Sequence, residues 1–257
     1  MIVVKTAREI QKMQDACTLS ARALKLAGEM VEPGVSTLEI DTAVRKFIEG
    51  EGGVPSTLGY EGYPASTCIS VNSVVVHGIP SKKTILRQGD IVSIDIMAGM
   101  HGYHGDNAYT YPCGDISEEA QRLIDVTEQS FFAALAVAKE GNRISDIGHV
   151  VQQYVEERGF STVRALCGHG IGRELHEDPS VPNYGIPGHG VRLRRGMTIC
   201  IEPMIAAGDY HVRTLKDGWT VVTSDGSLCS HYEHTVLITD GEPELLSYPG
   251  YRKEEKR

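Results

Sequence analysis

The 257-residue chain is expected to form one α+β domain: a curved antiparallel sheet covered by helices, with two halves related by a pseudo-two-fold axis. Three observations predict this. First, the chain repeats itself at an offset of 107 residues: Leu86–Asp95 (LRQGDIVSID) aligns with Leu193–Glu202 (LRRGMTICIE), His77–Pro80 with Tyr184–Pro187, and the segment from Gly34 with the segment from Gly141. Second, each half reads as a long helix, a short helix and then strands. Third, the acidic residues that stand out in both halves fall in strand-like text. The halves run from about 1 to 110 and 111 to 250, and the charged heptapeptide 251–257 is expected to be a frayed tail.

The elements follow in order. Thr6 and Glu9 make a capping-box pattern, after which Ile10, Met13, Cys17, Leu24, Ala27 and Val31 recur at helical spacing until Pro33–Gly34. Ser36 with Glu39 opens a shorter helix that stops in the glycines at 50, 52 and 53. In Ile91–Ile96, alternation sets Ile91, Ser93 and Asp95 on one face and Val92, Ile94 and Ile96 on the other. Gly99 and Gly102 allow a turn that returns Asp106 on the neighbouring strand. Ser117 opens the second long helix, ending near Gly141, and Ser145 the second short one, ending at Gly159. The second half repeats the hairpin with 20 more residues between Glu202 and Glu233, and this extra length, including Gly208–Asp209 and the text around Trp219, is expected to wall a site.

Composition narrows the function. A hydrophobic share of 41% is enough for a sizeable core. A net charge of −9 disfavours nucleic acid as a general partner. The longest clear apolar run, Phe131–Ala138, is far too short for a membrane span, and the segment Met1–Met13 carries no secretory pattern. Six cysteines without CxxC spacing read as free thiols of a reducing compartment, so a cytoplasmic protein is expected, and with no coiled-coil or obvious pairing segment a monomer.

Five residues in distinctive contexts carry the chemistry: Asp95 in SIDI, Asp106 in HGDN, His169 in CGHGIG, Glu202 in IEPM and Glu233 in YEHT. Four carboxylates on apolar strands cannot converge without compensation. Two divalent cations bring four positive charges, and an oxygen-rich set with one imidazole suits Mn, Co, Fe(II) or Zn. Such a pair lowers the pKa of a shared water and polarises a scissile carbonyl. Pro203 holds Glu202 extended, which suits a carboxylate at a strand end facing a cavity. Asp95 has the weakest individual case of the five: taken alone, a buried carboxylate bonded to backbone amides is a fair alternative. His176–Pro179 is no zinc helix, since a second histidine is missing, and neither GxGxxG nor GxSxG is present.

With those residues in place, the chain resembles the type I methionine aminopeptidases of the pita-bread fold. The resemblance runs over nearly the whole length and rests on GYEGYPASTCISVNSVVVHGIP, GDIVSIDI, YHGDNAYT, CGHGIGRELHEDP, TICIEPM and DGWTVVTSDGSLCSHYEHTVLIT. It implies removal of the initiator methionine from nascent proteins with a small second residue, by hydroxide shared between two metals. Asp95 would bind one metal and His169 the other, with Asp106 and Glu233 bridging and Glu202 acting both as ligand and as general base. His77 would hydrogen-bond the peptide and His176 the oxyanion. Tyr60, Tyr63, Cys68, Leu175 and Trp219 would receive the methionine side chain. Asn107 and Ala108 stand where the family often has hydroxyl residues, and Thr57 where it often has cysteine. Only 25 residues separate His176 from Glu202, so the helical insertion of the type II enzymes is missing. Docking at the ribosome is left open. The alternatives are a pita-bread peptidase for X–Pro bonds, a non-catalytic binding module and a two-metal phosphoesterase.

Overall fold

The computed structural model describes residues 2–248, so the charged tail lies outside the described residues. Both capping boxes form. In helix α1 (Ala7–Glu29) the Thr6 hydroxyl accepts the Glu9 N–H and Glu9 returns the bond, and Ser36 with Glu39 does the same for α2 (Thr37–Gly50). Helix α1 stops at Glu29, short of Pro33, because Met30 N–H already bonds the Ala27 and Gly28 carbonyls. Ser117 caps α3 (Glu118–Val137). Helix α4 (Ile144–Glu156) departs from expectation: its N-cap is Arg143, not Ser145. The Asp146 carboxylate accepts the Arg143 N–H at 2.7 Å, while the Ser145 hydroxyl is drawn away to the His189 carbonyl at 2.8 Å.

Nine strands form the main sheet, all antiparallel: β1 (Val54–Pro55), β2 (Cys68–Val71), β3 (Ile91–Met100), β4 (Tyr103–Pro112), β5 (Cys167–Gly170), β6 (Glu177–Pro182), β7 (Thr198–Ile201), β8 (Glu233–Leu237) and β9 (Glu244–Leu245). The spatial order is β1, β3, β4, β8, β7, β5, β6, with β2 also on β3 and β9 also on β8. The hairpin β3–β4 of the first half therefore meets its counterpart β7–β8 of the second through the β4–β8 pair. That arrangement is the pseudo-two-fold relation expected from the repeat. Two three-stranded sheets accompany it, which the sequence did not separate from the main one. One joins Met204–Ala206 to Cys229–His231 and Ser161–Thr162; the other joins Val212–Thr214, Val221–Thr223 and Val74–Val76. Both draw on the long segment between Glu202 and Glu233, and the second ties it to the first half.

Alternation divides the faces as expected. Val92, Ile94 and Ile96 pack with Leu19, Ala23, Ala27, Ile40 and Val44 of α1 and α2. Ile199, Ile201 and Val236 pack with Leu123, Phe131, Ile147 and Val151 of α3 and α4. On this helix-covered face the Ser20 hydroxyl donates to Asn107 Oδ1 at 2.6 Å. The opposite face carries Asp95, Asp106 and Glu233. Asp95 and Glu233 both pair with Ala108, so the three form one row across β3, β4 and β8.

Close approach of α1 to the sheet depends on Gly105. A Cβ there would lie 2.4 Å from the Cys17 backbone, which is helix and cannot swing aside. Gly105→Ala is expected to cost about 1–3 kcal/mol of stability through overpacking, seen as a lower denaturant midpoint at unchanged slope.

Candidate active site

Each acidic side chain is delivered by a strand. Asp95 comes from the middle of β3, Asp106 from β4 and Glu233 from the first position of β8, all at most 6% exposed. Glu202 follows β7 directly, at a strand end as expected, and its backbone carbonyl is held by Asn183 Nδ2 at 2.8 Å. His169 lies in β5, where Gly168 and Gly170 pack so closely on Cys200 O and Asp178 O that a Cβ at either would collide at 2.2 Å. The glycines beside the histidine thus serve strand packing around it. All five residues line one cavity of about 930 Å³.

The cluster is short of partners. Asp95 Oδ1, both carboxylate oxygens of Asp106 and Glu233 Oε1 are buried without a hydrogen bond. His169 Nε2 stands 3.6 Å from Asp106 Oδ2 and 3.6 Å from Glu202 Oε1. That separation is too long for hydrogen bonds. It suits donors that share an ion, because two ligand atoms each about 2.1 Å from one cation lie roughly 3–4 Å apart. His169 Nδ1 donates to Gly170 O at 2.8 Å, which leaves Nε2 unprotonated and facing the carboxylates. Donor atoms of Asp106, His169, Cys200 and Glu233 lie within 4.8 Å of one another, and so do those of Asp95, His231 and Glu233. The residues present therefore fit a pair of divalent cations, with Glu233 common to both groups.

Electrostatics agree. Burial, then repulsion from Asp106, pushes Asp95 well above the ordinary carboxylate range. Burial, then neighbouring carboxylates, does the same to Glu202 and Glu233, and burial raises Asp106. Burial lowers His169 to about 4 and His231 to about 3. His176 falls to about 4 through burial and the nearby imidazoles of His169 and His77.

The remaining residues named from sequence line the same cavity: His77, His176, Tyr60, Tyr63, Cys68, Leu175, Trp219 and Thr57. Cys68 pairs with Asp95 across β2 and β3. Tyr63 meets Trp219 edge to face at 5.2 Å between ring centres, and Trp219 meets His77 at 6.2 Å, so the long second hairpin does wall the site. The Tyr60 hydroxyl lies 2.7 Å from His176 Nδ1, and the His176 ring sits 4.2 Å from that of His169. His77 holds a left-handed backbone, φ 57°. Of the two departures in HGDNAYT, Asn107 turns to the helices, whereas Ala108 lies between Asp95 and Glu233. Sequence reasoning missed His231 and Cys200. A signal was there: each stands two residues before a named glutamate, the spacing that would share a face in extended chain, although in the fold a strand ends between the two members of each pair. Cys200 Sγ has a neighbour in Thr235 Oγ1 at 3.8 Å. All six cysteines are free thiols. Among the described residues no helix is long and apolar enough to cross a membrane.

These shifts set a pH dependence for the metal-free chain. Carboxylates raised in the folded state contribute stability below their ordinary range near 4, and that contribution is lost as pH rises through the folded values. Histidines lowered in the folded state act oppositely: their contribution is present above 6.5 and is lost as pH falls toward 4 and 3. Between these ranges the trends oppose each other. Above pH 6.5 only the carboxylates remain, so the melting temperature in chelator is expected to fall as pH rises. With excess divalent cation it is expected to hold or rise, because binding favours the deprotonated ligands. Melting curves with and without chelator check both slopes.

Comparison with known proteins accords with this geometry. A model of metallopeptidase family M24 matches residues 11–240. The protein called methionine aminopeptidase 1 in Bacillus subtilis (strain 168) is 48% identical over 247 residues, covering 96% of this chain and 99% of that one. The crystal structure of methionine aminopeptidase from Thermotoga maritima superposes with a TM-score of 0.95 at 45% identity, covering 96% of this chain and 99% of that one. A prolidase from Pyrococcus horikoshii shares the fold at a TM-score of 0.78 and 23% identity, covering 98% of this chain and 65% of that one. With its cluster of partnerless carboxylates and a family match spanning most of its length, this chain belongs to metallopeptidase family M24.

Proposed function

We propose that this chain is a metal-dependent aminopeptidase that removes the N-terminal methionine from newly made proteins whose second residue is small. One observation carries the reading: buried carboxylates without donors share a cavity with an apolar, aromatic-walled recess. The names of the relatives support it. In this reading residues 2–248 act as one catalytic unit, and Asp95, Asp106, His169, Glu202 and Glu233 hold two divalent ions of the Mn, Fe(II), Co or Zn kind. When bound, such ions lower the pKa of water and polarise the carbonyl under attack.

The chain's own groups bind, orient and move protons. Glu202 is raised by burial, which suits a carboxylate that takes a proton from the attacking water and passes it to the leaving amine. The Tyr60 hydroxyl lies 2.7 Å from His176 Nδ1; in this reading it donates there, and the neutral ring keeps its proton on Nε2 to donate to the oxyanion. His77, half-buried beside Trp219, donates to the peptide near the scissile bond. Tyr60, Tyr63, Cys68, Leu175 and Trp219, with Thr57, enclose a flexible thioether. The free α-amino group is the end that approaches the carboxylate cluster, so a blocked end is rejected, and crowding there excludes a large second residue. The substrates are nascent chains leaving the ribosome, and the enzyme works as a cytoplasmic monomer.

The metal-reconstituted protein is expected to release methionine from Met-Ala-Ser and not from Met-Lys-Ser or acetyl-Met-Ala-Ser. Glu202→Gln should abolish the release. Cleavage of Gly-Pro without cleavage of Met-Ala-Ser would instead favour an X–Pro peptidase. His176→Ala is expected to lower turnover by about 10²–10³, the usual loss for an oxyanion donor, with metal content unchanged; loss of metal from that variant would contradict the assigned role.

A further inference from the structure

His231 is the one imidazole at the cavity that the reading above leaves without a task. It ends the strand Cys229–His231, opposite Met204, and is 2% exposed. Its backbone is pinned on both sides by one hydroxyl: Thr110 Oγ1 accepts the His231 N–H at 2.9 Å and donates to the His231 carbonyl at 2.9 Å. The ring is thereby held against the acidic cluster. Its Nε2 is buried and has no hydrogen-bond partner. A desolvated nitrogen left unpaired carries a cost that calls for an explanation.

The surroundings supply one. His231 Nε2 stands 3.6 Å from Glu233 Oε2, beyond hydrogen-bond range and within the span of two donors to one ion. Donor atoms of Asp95, His231 and Glu233 lie within 4.8 Å of one another, and Asp95 Oδ1 and Glu233 Oε1 are themselves orphaned. Ala108, in register with both carboxylates, fills only a methyl's worth of the space between them. Three donor-bearing side chains from three strands thus bring donor atoms into one small volume, where Asp95 Oδ1, His231 Nε2 and Glu233 Oε1 are each buried without a hydrogen-bond partner.

We propose that His231 Nε2 is a metal ligand of this chain, binding the divalent cation on the Asp95 side. The inference rests on the two-cation reading of the cluster. Each cation then has its own imidazole: His169 with Glu202 on one side, His231 with Asp95 on the other, and Asp106 and Glu233 between them. A nitrogen donor moves the Asp95 side away from the all-oxygen sets that suit Mg or Ca and toward Zn, Co and Fe(II). The second cation is held more tightly as a result.

The test uses the full chain, stripped with chelator and reloaded with Co²⁺ or Zn²⁺ alone. Calorimetry and dialysis count the ions, and X-ray absorption counts the imidazoles around them. The expected result is two ions per chain with an average of one imidazole per ion. His231→Gln should halve that average and weaken one of the two binding events by about tenfold or more, at least the loss seen for an outer-shell partner. Two ions with only one imidazole between them would overturn the proposal and leave the two-cation reading standing. A single ion bound through His169 alone would overturn both. Wild-type affinity for both ions in a folded His231→Gln variant would also overturn the proposal, and should that variant fail to fold, the imidazole count of the unmodified protein decides.

Discussion

The constraint on which the structure depends is the desolvation of like charges. Asp95, Asp106, Glu202 and Glu233 are drawn into one volume from four strands or strand ends, and the cluster lacks enough protein donors to satisfy them. A carboxylate in that setting keeps its proton or finds a cation. Burial, with Asp106 beside it, raises Asp95, and burial raises Asp106, so the protonated forms are favoured while no cation is bound. The fold therefore holds a site that is poor as a set of free anions and good as a set of ligands.

The sheet makes this strain affordable. Its helix-covered face buries Ile94, Ile96, Ile199, Ile201 and Val236 against four helices, and those contacts stabilise the strands on which the acids ride. Cross-strand register then does the positioning. Asp95, Ala108 and Glu233 share a row, and Asp106 follows two residues before Ala108, on the same face. Duplication gives two hairpins that meet at β4 and β8, so the acids arrive from both sides of the junction. What differs between the halves gives direction: the longer second hairpin adds Trp219 and His231, and β5 adds His169.

Much of this was legible in the residues. The repeat predicted the paired hairpins because periodicity and register survive in sequence, and the capping boxes at Thr6 and Ser36 predicted two helix starts. Ser145 misled because Asp146 competes for the same cap and His189 competes for the serine, a choice made by a tertiary contact. The two small sheets were hidden because three-residue strands such as Val212–Thr214 leave no alternation to read. The four acids stood out as charges in largely apolar text, and His169 by its distinctive CGHGIG context. His231 did not, since a histidine next to a tyrosine carries no such contrast until the fold shows that its Nε2 has no partner.

The most direct measurement of the central claim is an anomalous-scattering map, taken at the absorption edge of the metal from crystals grown with Mn²⁺ or Co²⁺. The account predicts two peaks, both enclosed by Asp95, Asp106, His169, Glu202 and Glu233, with Glu233 touching each. Density for these side chains without any peak among them, or peaks seated elsewhere on the chain, would contradict it.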